Sequence, residues 1–146
     1  MPVKPIPEGY HTVTPLLSVN GAVRLIDFMK KAFGATEVYR FPAPDGSVMH
    51  AEMKIGDSVL MLGEAMCEGA SPMPIALYLY VNDADATYRA ALDAGGESTG
   101  APENMFWGDR VATVKDFAGN KWWIATHVED VSADELERRA RQAKAA

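Results

Sequence analysis

The chain has 146 residues, enough for one compact domain that buries about two thirds of its unfolded surface. Its net charge of −6 leaves no basic excess to replace counterions on phosphate, which argues against a nucleic-acid partner. With 48% hydrophobic and 23% charged residues the composition is that of an ordinary folded protein, and no run approaches the ~20 apolar residues of a membrane span.

The opening MPVKPIPEGY holds three prolines and no apolar core, so it does not read as a signal peptide. Cys67 is the only cysteine and excludes an intrachain disulfide. It sits in a polar, glycine-containing loop with no base beside it, and reads as incidental rather than nucleophilic. A cytoplasmic location is the expectation.

Residues 11–19 (HTVTPLLSV) are rich in β-branched and apolar side chains and predict a strand, which Asn20-Gly21 ends. Residues 22–33 predict an amphipathic helix with Ile26, Met29 and Phe33 on one face, and Gly34 in the left-handed position that closes it. Strands are predicted over 37–41 and 47–55, joined by PAPDG. The Gly56-Asp57-Ser58 turn leads into a fourth at 59–62.

The loop from Gly63 to Pro74 is the best boundary, because beyond it the order repeats. Residues 75–81 predict a strand and 83–94 a helix that Gly95-Gly96 ends. Less regular sequence follows to Gly108. Residues 109–115 and 121–126 predict a hairpin around DFAGN, and the tail from about 132 to 146 predicts a charged helix opened by Ser132 and Glu135.

A shift of 62 positions superposes Leu17 on Leu79, Val19 on Val81, Asn20 on Asn82, Ala22 on Ala84, Ala32 on Ala94 and Gly34 on Gly96. About one or two such identities would be expected by composition. The same shift puts Met61 on Trp123. The expected fold is therefore α+β: two tandem βαβββ modules (about 11–63 and 75–128) forming a curved mixed sheet with helices on one face.

Period-two alternation then assigns the faces. Val13, Leu17 and Val19, then Met49, Ala51, Met53 and Ile55, then Ile75, Leu77, Leu79 and Val81 should pack on the helices. Val48, His50, Glu52, Lys54, Ala76, Tyr78 and Tyr80 should face away from them. A concavity lined by Thr14, His50, Glu52, Met61, Tyr78 and Trp123 would suit a small, partly apolar ligand; the alternative is that these residues face solvent or a partner subunit.

Three segments, TPLLSVNGAVRLIDFMKKAFGA, MHAEMKIGDSVLML and RVATVKDFAGNKWWIATHVEDVS, resemble the glyoxalase/bleomycin-resistance (vicinal oxygen chelate) superfamily. The likeness spans the chain apart from the tail helix. It is specific for the fold and weak for the reaction. It implies a homodimer whose paired sheets form the cups. In metal-dependent members His and Glu ligands stand in the first and last strands of each module, positions that correspond here to Thr14, Met61, Ala76 and Trp123. None is a good ligand for a divalent cation, and a one-residue slip brings in no His or Glu, so neither a metal nor another cofactor is expected.

Apolar and aromatic side chains at those positions point instead to a planar or hydrophobic small molecule held by stacking and area burial, as in resistance-type members. Leu16, Thr14, Met61, Ala76, Tyr78 and Trp123 are the expected contacts, with Trp107 on a glycine-flanked loop as a lid. Trp122 and Trp123 are consecutive in a strand, so at most one belongs to the helix-side core. The alternative function is an enzyme of lyase, isomerase or dioxygenase type, metal-dependent or using His50 as general base with Glu52 beside it. Cα atoms two apart on a strand are about 6.5–7 Å from each other, so a surface pair is as consistent with the spacing as a working dyad. His127 reads as a structural or interface residue and His11 as solvated. No GxSxG, Walker or GxGxxG pattern is present.

Overall fold

The computed structural model describes residues 2–145 except 68 and 70. Its elements run β1 (Leu16–Val19), α1 (Ala22–Phe33), β2 (Thr36–Pro42), β3 (Val48–Ile55), β4 (Ser58–Glu64), β5 (Ala76–Tyr80), α2 (Ala84–Asp93), β6 (Glu97–Asn104), β7 (Asp109–Lys115), β8 (Lys121–His127) and α3 (Ala133–Ala145). Each module builds its own four-stranded mixed sheet, in the orders β1-β4-β3-β2 and β5-β8-β7-β6. First and last strands of a module lie parallel and the other pairs antiparallel. An isolated antiparallel bridge pairs Ser18 of β1 with Met73, in the connection that leads to β5.

The 62-residue register is visible in the pairing. Leu16 lies opposite Met61 in the first sheet, and Tyr78 opposite Trp123 in the second. The repeat extends to helix capping. Glu64 accepts the backbone N–H groups of Gly21 (2.9 Å) and Ala22 (2.6 Å) at the start of α1. Its counterpart Thr126 accepts the N–H of Ala84 (2.8 Å) at the start of α2. Both satisfy donors that a helix N-terminus leaves unpaired, the carboxylate with the added benefit of the helix dipole.

One hydrophobic core serves both modules. Leu25, Ile26, Phe28 and Met29 of α1 pack with Leu17, Met53 and Leu62 of the first sheet and with Val114, Trp122 and Ile124 of the second. Trp122 is fully buried between Phe28 and Phe33, whose ring centroids lie 6.4 and 4.8 Å away. Its indole N–H donates to Asp116 Oδ2 at 2.8 Å. Asp116, itself buried, also accepts from the backbone of Ala118 and Asn120 and from the Asn120 amide, so the DFAGN turn and the tryptophan form one unit. Gly96 lies where a Cβ would come within 2.4 Å of Val114 Cγ1, and only glycine permits that closeness.

Three sequence expectations need correction. The first strand is confined to Leu16–Val19, and Val13 is 82% exposed rather than in the core. Among the described strands β4 alone pairs with β1, and its register begins at Leu16, so residues 11–15 have no ladder to hold them extended. Val48 is buried and Met49 half-buried, against the assigned faces, because a register shift between Phe41 and Pro42 interrupts the alternation there. Residues 97–104, read as irregular, form β6. This edge strand carries Gly100 and Pro102 and two register shifts, and shows no apolar alternation.

The tail helix has no buried residue and is held by Arg139, which pairs with Glu129 (2.7 Å) and Glu135 (2.8 Å). Ser132 Oγ accepts the Glu135 N–H at 3.3 Å, the first half of the expected capping box. Among the described residues, no helix is long and apolar enough to cross a membrane.

Replacing Trp122 by alanine should cost about 3–5 kcal/mol of stability, read as a lower urea midpoint. A midpoint unchanged from wild type would contradict the central position given to this side chain.

Candidate functional site

The face of the second sheet opposite the helices is the best-organised polar and aromatic surface of the molecule. Strand alternation sends Trp122 into the core and Trp123 to the other side, where its ring lies near-parallel to that of Tyr78, with centroids 6.0 Å apart and planes 18° apart. Tyr80 follows two residues along β5, with its ring 5.3 Å from Tyr78. Lys121 Nζ stands 4.7 Å from the centre of the Trp123 ring.

At one end of this aromatic strip sits Asp109, only 3% exposed. Tyr78 Oη–H donates to its Oδ2 at 2.7 Å and Tyr80 Oη–H to the same atom at 3.2 Å. His127, its cross-strand neighbour in β8, brings Nδ1 to 2.8 Å from Oδ1. His127 Nε2 lies 2.8 Å from Oδ1 of the exposed Asp130. Trp107 donates its indole N–H to Tyr78 Oη at 3.2 Å, so the expected lid residue reaches the strip from its turn.

These contacts set the protonation states. Burial, then the hydrogen bond to Asp109, pushes the Tyr78 hydroxyl up to about 12, so it remains a neutral donor. Burial alone would raise Asp109, but the hydrogen bonds from His127, Tyr78 and Tyr80 outweigh it and hold the carboxyl below its ordinary range. The hydrogen bond to Asp109, then that to Asp130, raises His127. With a carboxylate on each nitrogen, the imidazolium that donates from both is the favoured form.

On the first sheet the expected His50–Glu52 pair is brought together, with His50 Nε2 3.4 Å from Glu52 Oε1. Tyr10 Oη–H donates to Glu52 Oε2, which lays the segment before β1 over this face. The Glu52 hydrogen bond, then burial, raises the Tyr10 hydroxyl. Leu16 and Met61 are neighbours on the same face, but Thr14 lies outside any strand, its hydroxyl 3.4 Å from the His11 carbonyl. Ala76 pairs with Lys121 at the far end of β5. Of the expected site residues, the fold brings together Leu16 with Met61, His50 with Glu52, and Tyr78 with Trp107 and Trp123.

Asp109 is not among the residues the sequence singles out, and His127 reads from the sequence as a structural or interface residue. The signal was available: counting outward from a hairpin turn centred on Ala118 sets Asp109 opposite His127. The predicted strand 109–115 contains Asp109, but its predicted partner stops at Thr126, one residue short of His127, so the pair falls outside the expected hairpin.

A divalent metal does not fit the positions where metal-dependent relatives hold one. Met61, Ala76 and Trp123 supply no hard donor and Thr14 only a hydroxyl. Among the described residues, no three His, Cys, Asp or Glu side chains are grouped to hold a metal ion. Cys67 is exposed and unpaired.

A cleft of about 940 Å³ runs along β5, which is the end strand of its sheet, and reaches residues 55–60 and the segment before β1. Phe33, Ile55, Leu77 and Leu79 make its apolar wall; Tyr78 and Tyr80 connect it with the aromatic strip.

Tandem βαβββ modules, each with its own four-stranded sheet, define a class of protein, and comparison with known proteins agrees. Residues 10–124 match the Glyoxalase/Bleomycin resistance protein/Dioxygenase superfamily, and the chain belongs to it. It is 37% identical over 135 residues to the uncharacterised Mycobacterium tuberculosis protein Rv0887c, across 86% of this chain and 79% of that protein. The same identity relates it to Mb0911c of Mycobacterium bovis, over 86% and 89% of the two chains. Among solved structures, TioX from Micromonospora sp. ML1 superposes with a TM-score of 0.67 at 21% identity, over 80% of this chain and 99% of that one. A glyoxalase-related enzyme from Fulvimarina pelagi gives 0.66 at 19% identity, over 85% and 94%. At such identities the two structures speak for the fold alone.

Because His127 gains carboxylate partners on folding, its stabilising contribution is complete below about pH 6.5 and is lost as the pH rises through its raised folded value. Asp109 has the opposite sign: its contribution is lost as the pH falls through its depressed value. An NMR titration of the imidazole protons should find His127 above the ordinary histidine range, with Asp109→Asn moving it down. An unshifted His127 in the wild type would refute the cluster.

Proposed function

We propose that this protein binds a small aromatic or hydrophobic molecule, without a metal, on the concave face of its second sheet. The observation that supports this reading best is the Tyr78–Trp123 ring pair beside the hydrogen-bonded Asp109 cluster. Side-by-side rings offer area and π-faces to a planar ligand, while Asp109, Tyr80 and His127 supply a few fixed polar groups at one end. Leu16 and Met61 make the matching apolar patch on the first sheet. A resistance or sequestration role, in which a compound is held without being transformed, fits a site with these donors and no metal ligands.

The working unit is a homodimer in the cytoplasm. β5 is unpaired on its outer edge beside the long cleft, and Tyr39 and Phe41 are half-exposed on β2, so a second copy has strand edges and aromatic surface to cover. Neither nucleic acid nor a membrane is a partner on this reading. The His50–Glu52 contact favours a second reading, an enzyme of lyase, isomerase or dioxygenase type with His50 as general base. Turnover that survived His50→Ala undiminished would remove His50 from that role.

Two measurements test the binding reading. N-phenyl-1-naphthylamine, a neutral aromatic probe, should bind saturably and quench tryptophan emission, and Trp123→Ala should weaken it by about tenfold or more. An unchanged affinity would refute the ring pair as the site. Native mass spectrometry of protein purified without added metal should show two chains and no stoichiometric metal ion. A monomer, or bound Zn, Ni, Mn or Fe, would overturn the corresponding part.

A further inference from the structure

We infer that the ligand of the second sheet is an aromatic anion, a planar ring carried on Tyr78 and Trp123 with its acidic group set against Lys121. This rests on the reading that the ring pair holds an aromatic molecule, and adds the charge and orientation of that molecule.

Lys121 lies two residues before Trp123 on β8, so both side chains rise from the same face. Its ammonium stands over the indole, half-buried, with no carboxylate in ion-pair contact among the described residues. Lys115 is its direct cross-strand neighbour. Like charges placed opposite each other on a sheet are destabilising, and an anion between them reverses the sign of that interaction. Glu97 stands opposite Lys115 on its other side, in β6. Lys121 has Ala76 in the corresponding place and is left as the cation facing the ring pair.

The far end of the strip has the opposite character. Asp109 and Asp130 flank a single imidazolium there, so the local charge is negative even with His127 protonated. An aromatic anion is thus drawn toward Lys121 and turned away from Asp109, while Tyr80 and His127 remain to contact the polar side of its ring. The lysine stem is flexible. A ligand ring that takes the indole face displaces the ammonium by a rotamer change, and the displaced charge then meets the acidic group at the edge of the ring.

The test compares two probes that share a ring system, 8-anilino-1-naphthalenesulfonate and the neutral N-phenyl-1-naphthylamine, titrated into the full-length protein at low salt. The sulfonate should bind about five- to tenfold more tightly, as one partly desolvated charge pair would give. Lys121→Met, which keeps the apolar stem, should erase that preference while changing the affinity for the neutral probe less than about twofold. Added salt should weaken only the sulfonate. A preference that persists in Lys121→Met, or a wild type that does not bind the sulfonate, overturns the inference. The underlying reading fails separately: Trp123→Ala would then leave the neutral probe bound as in the wild type.

Discussion

The hydrogen bond from the Trp122 indole to Asp116 sets the register on which the rest of the second module depends. Trp122 is the largest fully buried side chain, and its one polar atom finds a carboxylate that also organises the turn before β8. Slipping β8 by a single residue would strip Asp116 of that donor and bring Trp123 into a space shaped by Phe28 and Phe33. With the register held, every second residue of β8 is committed to the opposite face: Lys121, Trp123, Ala125 and His127. The surface read here as a binding site is the other half of a packing decision.

The repeat shows which positions the fold needs and which are available for function. Glu64 and Thr126 perform the same capping task with different chemistry, one by charge and one by a hydroxyl that also donates to the Val81 carbonyl. Leu17 with Leu62 and Leu79 with Ile124 keep the helix side apolar in both halves. At the centre of the faces turned away from the helices the modules diverge. The first has Leu16 beside Met61 under a segment tied down by Tyr10, and the second has Tyr78 beside Trp123 with an acid cluster at its end. The modules thus agree at caps and core and differ on the face away from the helices, where the second sheet carries the larger polar and aromatic group.

Much of the fold was legible in the sequence because its signals are local or periodic. The helix over 22–33, the glycine that closes it and the 62-residue register follow from spacing alone, and the consecutive tryptophans divided between the faces as alternation requires. What escaped were features decided by neighbours. β6 has no apolar period and exists because β7 offers a ladder. Val48 is buried because a bulge at Met49 in β3 shifts the alternation, and residues 11–15 leave the strand for want of a partner. On the site, Tyr78 and Trp123 could be placed by alternation. The Asp109–His127 contact needed the hairpin register, and the cation over Trp123 needed side-chain geometry.

Hydrogen exchange at the indole nitrogens, followed by NMR, tests this division of the two tryptophans most directly. The Trp122 indole N–H, buried and bonded to Asp116, should exchange only as the protein unfolds globally. The Trp123 indole N–H, with no partner among the described residues and its ring on the open face, should exchange orders of magnitude faster, and its resonance should move when an aromatic ligand is added. Equal protection of the two, or fast exchange at Trp122, would contradict the account.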